Sequence, residues 1–247
     1  MNSVIVRFIS SFIPSAPARR TFRNRHNLAR LVAAGENAIS IDPSDYGRIR
    51  LRVIGSGNVI RIGKMRPGRG VLDLLLCGDE CDVSIGDGLR IARCLKVTLG
   101  QMEKGYGKIR HAALQIGKAV GVEEAQIITY NANSTIRIGD ETMVAYGVTI
   151  YNTDSHPVYD RATRKILNTV GELSIGHHVW IGAHASLLKN TTVPDGCIVG
   201  WGAVVTRRFS KPNTAIGGNP ARELGGAGTV EWGRYDPAYI ANEGHRS

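Results

Sequence analysis

The residues best suited to chemistry lie in one short segment, Asn152-Thr153-Asp154-Ser155-His156-Pro157. A loop histidine beside a proline is poorly placed for core packing, and imidazole exchanges its proton near neutral pH. His156 is therefore a candidate functional residue, with an ordinary surface histidine as the alternative. Asp154 and Asn152 could orient the imidazole or the loop by hydrogen bonding, although short polar side chains in a turn also bond their own backbone.

Three further histidines, His177, His178 and His184, suggest a metal site as an alternative. His177 and His178 are neighbours in sequence and would point to opposite faces of a strand. With His156 they leave no clear set of three ligands of the kind that zinc needs. The four cysteines form no CxxC pair, and we expect them to be reduced, buried thiols. The sequence therefore predicts no bound metal.

The elements that must position these residues follow from an aliphatic repeat with a six-residue step. Its triads are Ile85/Ile91/Val97, Ile116/Val122/Ile128, Ile138/Val144/Ile150, Ile175/Ile181/Leu187 and Val193/Val199/Val205. A helix repeats every 3.6 residues and a lone strand every two, so a period of six indicates a short strand plus a corner. Three such units make one triangular coil. We predict an all-β coil body whose leading aliphatic residues stack in columns, with little helix between about residues 50 and 205.

The repeat is interrupted most widely between Ile150 and Ile175. Residues 151–174 are therefore predicted to form a long loop, and such loops commonly carry the functional residues of a rigid scaffold. This loop contains His156. It also contains Arg161, Arg164 and Lys165, three cations that would suit an acidic ligand.

Beyond the loop the sequence resembles a known family. Residues 173–183 are Leu-Ser-Ile-Gly-His-His-Val-Trp-Ile-Gly-Ala, and residues 211–222 are Lys-Pro-Asn-Thr-Ala-Ile-Gly-Gly-Asn-Pro-Ala-Arg. From about residue 136 to about residue 224 the chain resembles the hexapeptide-repeat acetyltransferases that use acetyl-CoA. The order TDxHP, HVW[IL]G and [AG]G[NS]PA is most similar to that of capsular polysaccharide O-acetyltransferases, particularly the sialic acid type. The resemblance implies a left-handed parallel β-helix and a homotrimer with active sites between subunits.

The resemblance also implies roles for single residues. His156 falls on the family's general base, which takes the proton of the acceptor hydroxyl as its oxygen attacks the acetyl thioester directly. Trp180 falls on the position whose backbone N–H is expected to meet the developing oxyanion; a packing or trimer-contact role is the alternative for its ring. Asp154 is the candidate orienting group. The candidate acceptor-binding residues are Asn152, Arg161, Arg164 and Lys165.

Acetyl-CoA is the co-substrate that the resemblance implies, with its pantetheine arm along the final coils. The candidate contact residues are Ala183, Trp201, Thr206, Arg207, Arg208, Lys211 and Arg222. The four cations among them would meet the phosphates of CoA. Trp201 departs from the family pattern, which has a small residue there. Either its ring lies away from the groove or the path of CoA differs locally.

The N-terminal region is strongly basic. The formal net charge is +10, and the first 35 residues carry six arginines and no acidic residue. We predict a helical, amphipathic arm whose residues 4–31 contact an anionic membrane surface, with each basic residue adding about 1 kcal/mol. Its apolar run is too short to span a bilayer. The alternative is a helix packed on the coil end or on a neighbouring subunit. No motif supports nucleic-acid binding.

The predicted organisation is an arm over residues 1–40, a β-helix over residues 41–224 and a tail over residues 225–247. We expect a cytoplasmic O-acetyltransferase, in peripheral contact with the inner face of the cytoplasmic membrane. Its acceptor would be a sugar hydroxyl of a capsule, a lipopolysaccharide or a precursor. The main alternative is transfer to a small molecule, such as an antibiotic, serine or a simple sugar. A zinc enzyme of the carbonic anhydrase type and a non-catalytic trimeric scaffold are the others.

Overall fold

Every regular element of the described chain is a β-strand. The computed structural model describes residues 5–8, 18–24, 27–41, 48–101, 107–226 and 228–233, with side chains from residue 33 onward apart from residue 48. The strands are β1 (Ile5–Phe8), β2 (Ala18–Asn24), β3 (Asn27–Ala34), β4 (Asn37–Ile41), β5 (Arg48–Ile54), β6 (Val59–Ile62), β7 (Val71–Asp79), β8 (Asp82–Ile85), β9 (Arg90–Leu99), β10 (Ile109–Arg110), β11 (Ala113–Ile116), β12 (Gly121–Thr129), β13 (Thr135–Ile138), β14 (Met143–Val144), β15 (Val148–Tyr151), β16 (Glu172–Ile175), β17 (Trp180–Ile181), β18 (Ser186–Leu188), β19 (Thr192–Val193), β20 (Ile198–Val199), β21 (Val204–Val205), β22 (Ala215–Gly217) and β23 (Arg222–Glu223). The prediction of an all-β protein is confirmed.

The strands wind into a parallel β-helix with three faces. The first face is the sheet β1-β4-β6-β8-β11-β13-β16-β19. The second face includes β14, β17 and β20, and the third includes β15, β18 and β21. In earlier coils one long strand covers two faces, since β12 pairs with both β14 and β15. We number the corners by the face that precedes them, so the third corner leads from the third face of one coil to the first face of the next.

The predicted aliphatic columns are confirmed for the first two members of each triad. The first members pair in register from coil to coil: Ile85, Ile116, Ile138, Ile175 and Val193. The second members do the same: Ile91, Val122, Val144, Ile181 and Val199. All ten are at most 5% exposed. Since burying such a side chain contributes roughly 1.5–3 kcal/mol, these columns hold the coils together.

The third column departs from the predicted step at one residue. Val97 pairs with Ile127, and Ile127 pairs with Ile150, so the column contains Ile127 where the sequence predicted Ile128. The register of β12 shifts between Val122 and Glu124. Such a bulge changes the residue count between two stacked positions, which a strict period of six does not anticipate.

The corners between the first and second faces explain the glycines that follow the leading aliphatic residues. A Cβ on Gly139 would lie 2.5 Å from the carbonyl carbon of Gly176 in the next coil. Aspartates add bonds between coils at the same corner: the Asp140 Oδ1 accepts from the Lys118 N–H, and the Asp195 Oδ1 from the His177 N–H, each at 2.7 Å. Close backbone approach therefore needs glycine here.

The N-terminal arm is not helical in its described parts, so that prediction is wrong. β2 and β3 form an antiparallel hairpin, and β3 adds in parallel to β5. β1 pairs with β4, which adds to β6. The first coil of a β-helix leaves a strand edge with unpaired backbone groups, and added strands satisfy them where a helix would not. The coils therefore extend to the N-terminal side of residue 41. In the part of the chain that the structure describes, no helix is long and apolar enough to cross a membrane.

The long loop leaves the body at a third corner. β15 ends at Tyr151 and β16 begins at Glu172. Midway, Tyr159 and Ile166 form an antiparallel bridge, and the Asp160 carboxylate accepts from the Thr163 N–H at 2.7 Å within the turn. The predicted loop is therefore a short hairpin that projects from the corner carrying His156.

Candidate active site

A pocket of about 280 Å³ lies at the root of the loop on the third corner. Its lining residues are Asn131, Asp154, Ser155, His156, Pro157, Ile166, Asn168, Thr169 and Val170. The lining therefore combines amide, hydroxyl, carboxylate and imidazole groups with a few apolar side chains. None of the lysines or arginines of the described ranges is among them. The volume lies near the lower end for small-molecule sites, as a single small group would need.

His156 has an exposed side chain on the wall of this pocket. The chain turns sharply before it: Ser155 has a φ of 61°, and the His156 N–H donates to the Asp154 carbonyl oxygen at 2.6 Å. The Ser155 hydroxyl lies 2.9 Å from the Tyr151 hydroxyl. Within the described ranges nothing hydrogen-bonds the imidazole, so its ring nitrogens are open to a bound molecule.

Asp154 contacts two other residues instead of the imidazole. Its Oδ2 accepts from Lys189 Nζ at 2.6 Å and from Asn168 Nδ2 at 2.7 Å. Partial burial raises the pKa of Asp154, but the bonds from Lys189 and Asn168 and the charge of Lys189 outweigh it and hold the pKa below its ordinary value. Asp154 is therefore ionised at neutral pH, and it fixes the main chain before His156 instead of the ring itself.

Two residues of this site, Asn168 and Lys189, were not predicted from the sequence. Asn168 also donates to the His156 carbonyl oxygen at 2.9 Å. Nothing in a polar loop distinguishes this asparagine from its neighbours. The repeat did contain a signal for Lys189. Tyr151 pairs with Leu188, so Lys189 begins the same corner in the next coil that Asn152 begins in its own.

Asn152, predicted to bind the acceptor, is fully buried. Its Nδ2 donates to the carbonyl oxygens of Thr135 at 3.2 Å and Gly171 at 3.0 Å. Its side chain thereby joins the two ends of the loop to the first face. The acceptor prediction is wrong for this residue, since a side chain without exposed surface cannot contact an acceptor. The burial of Asn152 depends on where the loop returns to the body at Gly171, and the sequence around Asn152 does not reveal that position.

The three loop cations lie on the hairpin, outside the pocket. Arg161, Arg164 and Lys165 are all exposed. The Arg164 guanidinium lies 4.8 Å from the centroid of the Tyr159 ring, a cation–π contact. The structure does not bring these side chains to His156.

Trp180 lies on β17, on the second face. Its side chain is 42% exposed, and its ring centroid lies 6.4 Å from that of Trp232. Its backbone N–H donates to the Cys197 carbonyl oxygen at 3.0 Å, as part of the ladder between coils. An oxyanion role for this N–H would require a bifurcated bond, because the ladder already uses the donor.

Ala183 and Trp201 occupy equivalent positions on the second corner, where the Gly202 N–H donates to the Ala183 carbonyl oxygen at 2.9 Å. No acceptor within the described chain takes the backbone N–H of either residue, whereas the N–H of the preceding Gly182 donates to the Val199 carbonyl oxygen at 2.7 Å. The indole of Trp201 is 75% exposed and lies 5.2 Å from the His184 ring. This corner therefore offers two unpaired amides beside an exposed aromatic ring.

The remaining residues predicted to bind CoA are exposed near the last coils. These are Thr206, Arg207, Arg208, Lys211 and Arg222. Lys211 Nζ lies 3.2 Å from a Glu223 carboxylate oxygen. The Arg208 Nε donates to the Asn190 carbonyl oxygen at 3.3 Å, and the Arg207 guanidinium lies 5.7 Å from the Phe209 ring centroid. The positive charges are present, with Lys211 partly neutralised by its partner.

The three further histidines lie apart. His177 Nδ1 accepts from the Asp140 N–H at 3.1 Å on the first corner. The His178 ring stacks on Trp232 with centroids 4.4 Å apart, and His184 lies on the second corner against Tyr146. Among the described residues, no three His, Cys, Asp or Glu side chains are grouped as a metal site requires.

Comparison with known proteins identifies relatives of this chain, although no family model matches it. The chain is 26% identical over 142 residues to the galactoside O-acetyltransferase of Escherichia coli strain K12, covering 50% of this chain and 69% of that protein. It is 30% identical over 121 residues to the polysialic acid O-acetyltransferase of Escherichia coli O1:K1 / APEC, covering 49% of this chain and 38% of that protein. The chain thus spans well under half of this second relative.

The fold is similar to the crystal structure of the polySia specific acetyltransferase NeuO, with a TM-score of 0.58 and 23% identity. The match covers 83% of this chain and 90% of that chain. It confirms the predicted left-handed winding of the coils. By sequence this chain is similar to O-acetyltransferases, and by fold it is similar to an acetyltransferase with a left-handed parallel β-helix.

Proposed function

We propose that this protein transfers an acetyl group from acetyl-CoA to a sugar hydroxyl of a bacterial surface polysaccharide or its precursor. The observation that carries the proposal is the exposed imidazole of His156, without a hydrogen-bond partner in the described chain, on a polar pocket. Two sequence relatives support a carbohydrate acceptor, because their names specify a galactoside and polysialic acid.

In the proposed reaction His156 acts as the base. Its ring nitrogen takes the hydroxyl proton as the sugar oxygen attacks the thioester carbonyl, which is needed because an intact hydroxyl is a weak nucleophile. The imidazolium then returns the proton to the departing thiolate of CoA, so that an ester and a free thiol result. No covalent acyl-enzyme is required.

The lining of the pocket supports an uncharged, hydroxyl-bearing group beside His156. Asp154 Oδ2 is occupied by Lys189 and Asn168, which leaves Oδ1 without a partner in the described chain as an acceptor for a hydroxyl. An acidic group of the acceptor would instead extend toward Arg161 and Arg164 on the exposed hairpin.

The separation of corners supports a site shared between two copies of the chain. His156 follows β15, on the third corner, whereas Ala183 and Trp201 lie on the second corner. The four-residue third face between these corners is on the order of 13 Å long. Acetyl-CoA along the second corner of one copy would therefore serve His156 of a neighbour, in a closed homotrimer.

The test is acetyl transfer from acetyl-CoA to a panel of bacterial surface glycans and their monomers, with NMR location of the new ester. We expect His156→Ala to lower kcat by about 10² to 10⁴, with thermal stability and acetyl-CoA binding unchanged. Near-normal transfer by this variant would remove His156 as the base.

The same panel distinguishes the polysaccharide function from a second candidate function, acetylation of a small molecule. The galactoside named for one relative favours this candidate. Monomeric sugars, serine and chloramphenicol therefore join the glycans as acceptors. A kcat/KM that is higher for a free sugar than for every polymer would favour the small-molecule function.

Membrane contact through residues 4–31 remains a separate proposal, because the side chains of this segment lie outside the described residues. Its charge supports binding to anionic lipid. Flotation with liposomes containing phosphatidylglycerol, compared between the whole chain and a form lacking residues 1–33, measures it. Equal flotation of the two forms would contradict the proposal.

A further inference from the structure

The position of His156 is set through its main chain. Its ring has no hydrogen-bond partner in the described chain, and the residue before it, Ser155, has a φ of 61°. A residue other than glycine in this region costs about 1–3 kcal/mol and persists only when neighbouring contacts hold it. The contacts that hold this turn therefore determine where the imidazole lies.

Asn168 supplies those contacts from the far side of the loop. Its Nδ2 donates to Asp154 Oδ2 at 2.7 Å and to the His156 carbonyl oxygen at 2.9 Å. Its Oδ1 accepts from the Val158 N–H at 2.7 Å. One side chain thus bonds the chain before, at and after His156, and uses both donor and acceptor groups of its amide.

Lys189 connects Asp154 and Asn168 to the rigid coils. Its Nζ lies 2.6 Å from Asp154 Oδ2, and its side chain is only 23% exposed. Lys189 directly follows β18, whereas Asn168 belongs to the loop. Charge-assisted bonds of this length are stronger than neutral ones. The turn before His156 is therefore bonded to the body of the β-helix through Lys189 and to the returning part of the loop through Asn168.

We propose that Asn168 and Lys189 are positioning residues for His156, with Asp154 as the group that joins them. This inference rests on the proposed role of His156 as the base. Neither residue touches the reacting atoms in this scheme. They act by keeping the imidazole aligned with the acceptor hydroxyl, and a displacement of about 1 Å can cost on the order of 10² in rate.

The chain offers a matched control in Asn190. This asparagine is also half-buried at the loop root, where its Oδ1 accepts from the Gly171 N–H at 2.7 Å and its Nδ2 donates to the Thr169 carbonyl oxygen at 2.9 Å. It bonds the returning end of the loop and none of the residues 154–158. A change at Asn190 therefore reports general loosening of the loop.

The experiment compares Asn168→Asp with Asn190→Asp. Each change keeps the size and the accepting oxygen, removes the donating NH₂ group and adds the same single negative charge. For Asn168→Asp we expect kcat to fall by about 10- to 100-fold, with the KM for acetyl-CoA within about twofold of the original because the proposed CoA corner is untouched. Lys189→Met should lower kcat by a smaller factor, since Asn168 still holds His156.

For Asn190→Asp we expect kcat within about threefold of the original. Equal losses of kcat in the Asn168 and Asn190 variants, or a loss confined to KM, would overturn the positioning role and leave only structural support.

A readout independent of acetyl transfer separates this inference from the proposed function. The imidazole ¹H–¹³C NMR signal of His156, identified by its loss in His156→Ala, should shift in Asn168→Asp and stay in place in Asn190→Asp. An unmoved signal in Asn168→Asp contradicts the positioning role even if the enzyme is active. If the unmodified protein acetylates no acceptor but the signal shifts as expected, the proposed function fails and the positioning of His156 stands.

Discussion

At the scale of single residues, His156 and Trp180 differ in which of their atoms can act. The imidazole of His156 is the reacting group in the proposed mechanism, whereas the backbone N–H of Trp180 is bound in the coil ladder to Cys197. Trp180→Ala removes only a ring that is 42% exposed. We therefore expect a loss of at most about tenfold in kcat/KM, through weaker acceptor binding, against about 10² or more for His156→Ala. Steady-state kinetics with varied acceptor check this. An equal loss in both variants would give the indole a direct part in the reaction.

The lowered pKa of Asp154 predicts how the His156 turn responds to acid. The unfolded pKa of this carboxyl is the higher one, so its stabilising effect is complete above the unfolded pKa and disappears as the pH falls through the folded pKa. Lys189→Met removes two of the causes that lower the pKa, so the loss should occur at a higher pH. Following the backbone amide ¹H–¹⁵N signal of His156, whose N–H donates to the Asp154 carbonyl oxygen, from pH 7 downward measures this. Coinciding profiles for the variant and the original protein would show that Lys189 does not control the ionisation.

At the scale of elements, the first corner should tolerate no side chain at Gly139. An alanine Cβ there would meet the backbone of Gly176 at 2.5 Å, and stacked backbone cannot move away cheaply. We expect Gly139→Ala to destabilise the protein by about 2–4 kcal/mol, seen as a lower Tm. Gly107→Ala is the control, because no atom of the described residues lies within 4 Å of a Cβ at that position. Equal Tm values for the two variants would mean that the coils can separate to admit the methyl group.

Much of the element order could be predicted from the sequence, because the stacked residues are also the repeated ones. Ile138 and Ile175 pair in register as the period of six requires. The exception at Ile127 arises from a bulge inside β12, where spacing along the chain no longer equals spacing in the column. The arm was predicted wrongly for a related reason. Its composition suited a helix, but the open edge of the coil stack is satisfied by strands.

The site was predictable only where a residue's own setting indicates its chemistry. His156 stood out because it interrupts a regular repeat beside a proline. Asn168 and Lys189 meet Asp154 only after the hairpin has folded back, so their contacts depend on the path of the loop. For Asn152 the error was of the opposite kind. Its place in a polar motif suggested an exposed side chain, but the returning end of the loop buries it.

At the scale of the whole molecule, the β-helix distributes the proposed functional groups over two corners. The third corner carries His156 and its polar pocket, and the second carries the amides of Ala183 and Trp201, which are unpaired within the described ranges. A rigid stack of coils cannot bring its own corners together, because each face is held by the columns beneath it. Catalysis by a single chain would therefore require acetyl-CoA to cross a whole face, whereas adjacent copies in a ring would appose the two corners directly.

This arrangement predicts complementation between two inactive variants. His156→Ala lacks the base and keeps its second corner, whereas Ala183→Phe obstructs the second corner and keeps the base. If each site combines the third corner of one copy with the second corner of the next, random mixing in a trimer leaves roughly a quarter of the sites intact. Co-expressed, jointly purified variants should then regain about that fraction of the original activity, with native mass spectrometry confirming assembly of each. Sites contained within single chains would give no recovery, since every chain in the mixture carries one defect.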